Sequence, residues 1–419
     1  MTQIQGCCVA TSDAELQNQL KKLSQDHRPA EKLPRSPYLS VRHIDKRWQQ
    51  LNQADSQAEL LDAHTQSQQD CYHKNIENFI GTVKLPVGIA GPLRVNGAYA
   101  QGDYTIPLAT TEAALVASYH RGAQLITAAG GASALLLRES VTRTPGLIFS
   151  GIAQAGAFVA WASQQIEIFR QVAESTTTHG KLINASLHIE ARYVFLVFEY
   201  HTGDASGQNM VTIATQAILD YVMAHTPVQP EYAFLDANLS GDKKATHQSL
   251  THVRGKKVSA EINIPAHLVQ QYLHTTPEAM HQFERISTVG GTLSGSMGIH
   301  AHYANALAAL YIACGQDAAC VAESASGITR LEVTSKGNLY ASATLPNLMV
   351  GTVGGGTGLP SQKACLKLLG LYGAGHARAL AEVAASLCLA GELSIIGAFC
   401  AGHFSRAHHK LARPLKADI

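Results

Sequence analysis

The spacing of apolar and polar positions changes texture several times along the chain, and each change marks an element. Residues 1–65 are polar, rich in Gln and Lys, and crowded with proline over 29–37. With little apolar surface to bury, they read as a helical arm with a flexible lead. Glycine and proline over 85–93 predict turns. The run PLATTEAALVAS (107–118) then predicts a helix with one carboxylate, Glu112, at its head and Thr110 and Thr111 as natural N-caps. A helical stretch over 155–172 leads through a Ser/Thr-rich turn to 186–200, where aromatic and branched residues predict one strand. GDASGQN (203–209) follows, with a helix expected from Met210 to about His225. Beyond a Gly/Lys loop at 239–244, apolar residues alternate at Val258, Ala260, Ile262 and Ile264, the period of a strand. Small residues predict a helix over 298–313, then come a glycine loop at 351–358 and a long apolar helix at 376–403.

This order predicts an α+β chain in three parts: an arm at 1–65, a large domain at 66–145 and 235–419, and a small α+β domain inserted at 146–234. A length of 419 residues suits two or three domains. With 46% hydrophobic and 15% charged residues, the core is large, and 35 glycines suit close helix packing and tight turns. A net charge of +1 gives no bias toward nucleic acid or a membrane surface. Eight scattered cysteines without a CxxC read as reduced thiols, and no HExxH or Cys/His spacing suggests a metal. The N-terminus is polar and mildly acidic, unlike a secretory leader. The apolar stretch 383–402 is interrupted by Glu392, which fits a core helix better than a membrane span. A cytoplasmic protein is expected.

Six places could carry chemistry. Glu112 is either a helix cap or a desolvated carboxyl kept protonated as a general acid. GDASGQN between strand and helix suits a diphosphate on free N–H groups, although it is not GxGxxG. GTVGGGT (351–357) is costly to order, which favours a loop pressed on a ligand, and it lacks the ending of a nucleoside-triphosphate loop. SGDKK (240–244) is either a solvated turn or an ammonium held by Asp242 and aimed at a developing oxyanion. Asp317 follows Gly315 as a helix N-cap or a catalytic group, and His408 ends the last helix, where the dipole favours imidazolium.

Taken in order, ENFIGTVKLPVGIAGPL (77–93), PLATTEAALVAS, GDASGQNM (203–210), DKK (242–244), ACGQDAA (313–319), GTVGGGTGLPSQ (351–362) and LAGELS through AGHFSRAH (389–408) closely resemble the hydroxymethylglutaryl-CoA reductase family. The match covers residues 70–413 and is nearer the biosynthetic class I branch. The resemblance implies a large, mainly helical substrate domain around a central helix, with a small ferredoxin-like nucleotide domain inserted. It also implies a homodimer or homotetramer whose active site is completed at the dimer interface. The reaction it implies takes hydroxymethylglutaryl-CoA to mevalonate and CoA by two hydride transfers from NADPH, with NADH as the alternative and no metal. An NAD-dependent enzyme running toward the thioester, and a silent CoA-binding paralogue, are the competing readings.

Carried over by position, Lys243 polarises the carbonyl, Glu112 protonates the aldehyde oxygen, Asp317 couples to both, and His408 protonates the departing thiolate. Ser118, Arg121, Arg143, Asp242, Lys244, Arg285, His302 and Asn305 would hold the substrate. Asp204, Ser206, Gly207, Gln208, Asn209, Met210, Val353, Gly354 and Arg413 would line the dinucleotide. Two departures stand out. No arginine occurs over 175–179, where one commonly meets the 2′-phosphate, leaving Lys181 nearby. Asp236 also occupies the place of a substrate-contacting serine.

Overall fold

The structure, a computed structural model, describes residues 32–33, 35–36 and 39–403. Its contacts divide into two compact units, one ending at Thr82 and the other beginning at Val83. In the first, α1 (Val41–Leu51), α2 (Ala54–Leu60) and α3 (Ala63–Ser67) follow one another. Ser40 caps α1 and Asp62 caps α3 by accepting N–H groups of the first turn. Ile44, Trp48, Leu61 and Phe79 form a small core, and the Trp48 indole donates to the Ile80 carbonyl at 2.9 Å. Because Phe79 fills this core, the unit runs on to Thr82 instead of ending at 65.

In the second unit, β1 (Val87–Gly97) and β2 (Gln101–Ala109) form a hairpin, followed by α4 (Leu115–Ala128) and β3 (Ala132–Arg143). Next come β4 (Gly146–Ile148), α5 (Ile152–Ala162), α6 (Ile166–Ser175), β5 (Lys181–Glu190), β6 (Tyr193–His201), α7 (Gln208–His225) and β7 (Tyr232–Phe234). The chain returns through β8 (Gly255–Ile264), α8 (Ala266–Leu273), α9 (Pro277–Ser294), β9 (Gly298–Ile299), α10 (Tyr303–Ala313) and the single turn α11 (Val321–Ser324). β10 (Gly327–Val333), β11 (Leu339–Leu348), α12 (Pro360–Leu368) and α13 (Ala377–Cys400) complete it. The strands make one mixed sheet in the order β7-β4-β6-β3-β8-β11-β10-β9, with β1, β2 and β5 attached at its sides. β3 joins the halves: its first part pairs with β8 and its last three residues pair with β6.

Several sequence expectations change. The turns expected over 85–93 fall within strand β1, whose pairing with β2 shifts between Ala90 and Leu93. The strand expected over 186–200 belongs to a hairpin, β5 and β6, turned at Ala191 with φ 51°. No Gly, Pro or Asn marks that turn, so the apolar pattern runs through it. The helix expected over 155–172 breaks into α5 and α6. The helix expected from 298 starts at Tyr303, because Gly298 (φ 105°) pairs with β10. The part expected to be mainly helical carries β1–β3 and β8–β11, so the architecture is mixed α/β.

Almost all of α13 is buried. It is long and apolar enough to cross a membrane, yet 83% of that window is buried within the protein, so it is a core helix. Small residues set its spacing from α4: a Cβ on Gly122 would lie 1.9 Å from the Ala390 carbonyl oxygen. Two carboxylates on α13 bind loops rather than cations. Glu382 accepts the Tyr99 and Ala100 N–H groups at 2.8 Å each. Glu392 accepts the Ala301 and His302 N–H groups at 2.8 Å and the Thr329 hydroxyl at 2.9 Å. Glu392→Leu leaves three donors without an acceptor, and at ~1–3 kcal/mol each when buried it should cost at least about 3 kcal/mol. Urea denaturation checks this, and a loss under about 1 kcal/mol would show that the donors find other partners.

Candidate active site

The Lys243 turn lies between β7 and β8. Lys243 itself adopts φ 56°, a left-handed backbone that a non-glycine residue keeps only where its surroundings hold it. Its Nζ lies 3.0 Å from Asp317 Oδ2. The hydrogen bond its ammonium donates to Asp317 is the main cause of a raised Lys243 pKa. Burial is the largest influence on Asp317 and pushes its pKa up. The bonds from Lys243 and the Ala319 N–H, with the lysine charge, outweigh it and leave the carboxyl below its usual range. Asp317 also caps the turn at 318–320 by accepting the Ala319 N–H at 3.0 Å, so cap and catalytic candidate are one residue. Gly315 (φ 67°) brings that turn against the glycine loop: a Cβ there would lie 2.3 Å from the Gly356 carbonyl oxygen.

Asp242 does not hold the Lys243 ammonium. Its carboxylate takes Arg254 at 2.9 Å and Arg143 at 3.1 Å, and its carbonyl takes Lys244 Nζ at 3.0 Å. Arg143, expected on substrate, is buried and also bonds Asp236 at 2.6 Å and Thr212 at 3.2 Å. The carboxylate at 236 therefore gives Arg143 a second acidic partner where a serine would give a neutral one.

The two glycine motifs meet. A Cβ on Gly351 would lie 2.4 Å from the Ser206 nitrogen, and Thr352 donates its N–H to the Asp204 carbonyl at 2.8 Å. Gly207 (φ 80°) precedes α7 with no side chain capping it. Gly203, Gly354 and Gly355 have positive φ and open space where a Cβ would stand. Uncapped N–H groups beside such a cradle fit a diphosphate. Val353 lies within this cradle, Asn209 is exposed on the first turn of α7, and Met210 covers Gly180. The Asp204 carboxylate, expected on the dinucleotide, instead accepts the Gly375 and Ala377 N–H groups at 2.8 and 3.1 Å and ties the loop to the start of α13. Beneath both motifs the buried Lys256 donates to the Val350 carbonyl at 3.2 Å.

A second cluster sits on α4, α10 and α13. Ser118 and Ser394 hydroxyls are 2.9 Å apart, Arg121 donates to the Ser394 carbonyl at 2.8 Å, and His302 stacks on Tyr119. Asn305 is half-buried in the first turn of α10, and Arg285 is exposed on α9 against Gln282. Among the described residues no hydrogen bond or ion pair joins this cluster to Lys243 and Asp317.

Glu112 differs from expectation. It is exposed and lies before α4, which starts at Leu115, and the N-cap position is Ala114 (φ 69°) with no side-chain cap. Thr110 Oγ1 accepts the Glu112 N–H at 3.0 Å, closing a local turn and not the helix. Among the described residues Glu112 neither caps α4 nor is desolvated. His408 and Arg413 lie outside the described residues. Sequence reasoning missed Arg254 and Glu323, whose pairing at 2.8 Å is almost wholly buried. In a run such as VRGKK (253–257) only burial distinguishes a structural arginine from a solvated one.

Residues 43–413 match the model of the hydroxymethylglutaryl-coenzyme A reductase family. The chain belongs to that family. It is 44% identical over 342 residues to 3-hydroxy-3-methylglutaryl-coenzyme A reductase of Methanothermobacter thermautotrophicus, covering 81% of this chain and 85% of the relative. It is 44% identical over 351 residues to the Aeropyrum pernix reductase, covering 82% and 83%. The fold resembles the class II reductase of Streptococcus pneumoniae, solved bound to NADPH, with a TM-score of 0.65 at 20% identity over 86% of this chain and all of that one.

Proposed function

We propose that the chain is a biosynthetic reductase that converts 3-hydroxy-3-methylglutaryl-CoA to mevalonate and CoA, consuming two NADPH. The Lys243–Asp317 pair, set against two touching glycine loops, carries this reading. When bound in that cradle, NADPH supplies hydride. Lys243, held cationic by Asp317, donates to the thioester oxygen and stabilises the oxyanion that forms there. Glu112 delivers the proton to the aldehyde oxygen in the second reduction, and His408 protonates the CoA thiolate as it leaves. Arg121, Ser118, His302, Asn305, Lys244 and Arg285 bind the substrate, Arg285 by offering a forked guanidinium to a carboxylate. Arg143 and Asp242 act from behind, through the Lys243 turn.

Residues 146–234, with α5–α7 on β4–β7, serve as the inserted ferredoxin-like nucleotide domain, and α13 is the central helix of the substrate domain. That no hydrogen bond or ion pair among the described residues joins Lys243 to the α4 cluster or to exposed Glu112 supports a homodimer in which one subunit's acid faces the other's lysine. Class I placement rests on the resemblance of the C-terminal motifs, GTVGGGTGLPSQ and LAGELS through AGHFSRAH.

The test is loss of NADPH and NADH absorbance with hydroxymethylglutaryl-CoA. Turnover with NADPH is expected, and no turnover with either cofactor overturns the reading. Phosphate recognition falls to Arg413, because Lys181 is drawn to Glu174 at 2.6 Å and no arginine occurs over 175–179. Arg413→Ala should cut the NADPH/NADH ratio of kcat/KM about tenfold, since a charged hydrogen bond is worth ~1.5–3 kcal/mol, and less at high salt. A ratio indifferent to Arg413 would place phosphate recognition elsewhere.

A further inference from the structure

A buried ion pair stands behind the catalytic turn. Arg254 and Glu323 are both buried, with relative exposures of 4% and 1%. Isolated in the core, such a pair gives little net stability, because desolvation offsets the attraction. Its partners suggest another use. One face of the guanidinium bonds Glu323 at 2.8 Å. The other reaches Asp242 Oδ1 at 2.9 Å and Gln208 Oε1 at 2.6 Å. The Arg254 backbone N–H is itself fixed by Asn347 Oδ1 at 2.7 Å. Glu323 belongs to the segment that carries Asp317. One arginine therefore ties together the turn that presents Lys243, the first residue of the dinucleotide helix, and the segment that presents Asp317.

We propose that Arg254 and Glu323 are a positioning pair that holds Lys243 in register with Asp317 and with the cofactor loop. The pair touches neither substrate nor cofactor. It acts by fixing the Asp242–Lys243 backbone in its left-handed conformation, so that the ammonium is aimed before the substrate arrives. This inference rests on the reductase reading, and wild-type turnover tests that reading separately.

The closing experiment removes both charges at once, since apolar replacement of a buried pair is often neutral to folding. Arg254→Met/Glu323→Met should unfold cooperatively near the wild-type temperature. Its kcat should fall ~10–100-fold, the scale expected when a catalytic group is displaced by about 1 Å, with KM for hydroxymethylglutaryl-CoA changing far less. The alkaline limb of its kcat profile should move to lower pH. The bond to Asp317 keeps the Lys243 ammonium charged, Asp242 adds only a weaker attraction, and the Cys320 thiol, pushed up by burial, faces it uncharged; a slack turn weakens the contact with Asp317. A purely structural pair would not move this limb. Arg254→Lys, which can meet Glu323 but cannot fork to Asp242 and Gln208, should show the same loss. A folded double variant with wild-type kcat and an unshifted alkaline limb overturns the proposal.

Discussion

Lys243→Ala should abolish both reductions, with kcat down by ~10²–10³ or more, in a protein that still folds. An aimed oxyanion partner is worth ~3–4 kcal/mol in a transition state, and no other described ammonium lies within ion-pair distance of Asp317. The fold should survive because Lys243 is half exposed and its partner is a surface carboxylate, a class of pair that contributes little to stability. The charge states suit the role: Lys243 is raised and Asp317 lowered, so both stay ionised through neutral pH. Steady-state turnover beside a thermal melt decides the matter, and near-normal kcat in a folded variant would end the assignment.

Glu112→Gln should leave the first reduction less affected and slow reduction of supplied mevaldehyde by ~10²-fold or more, the usual contribution of a general acid. Glutamine still donates a hydrogen bond but delivers no proton. Because Glu112 is exposed in a single chain, a second arm of the experiment matters. Mixing Lys243→Ala and Glu112→Gln subunits should recover part of the activity, since some hybrid dimers hold one intact lysine opposite one intact acid. An unchanged mevaldehyde rate would return Glu112 to a turn residue. Hybrids without recovery would place both groups in one subunit.

The motifs were readable because their chemistry requires particular residue types at fixed spacing. GDASGQN and GTVGGGT need glycine where backbone must meet backbone, and in the structure Gly351 lies against Ser206. Alternation at 258–264 was enough for β8, and the apolar stretch 383–402 with its one acid was enough for the core helix α13, since local period reflects how a segment is buried. The sequence also carried Asp317 as a cap, a contact spanning two residues. Turns made without glycine or proline escaped it. Ala191 and Ala114 both take positive φ, a conformation imposed by strand pairing and packing and not by side-chain preference.

Partnerships between distant residues belong to the tertiary structure alone. DKK placed Lys243 next to Asp242 in sequence, yet a left-handed backbone at 243 turns the ammonium to Asp317 and leaves Asp242 to two arginines. Asp204, expected at the dinucleotide, has a second partnership that no motif announced, as a clamp on the start of α13. Arg254 and Glu323 went unread in the sequence and are a buried pair. In each case the residue type was set by the sequence, while its partner was set by which segments the β3–β8 junction brought together, where low dielectric makes every unpaired charge costly.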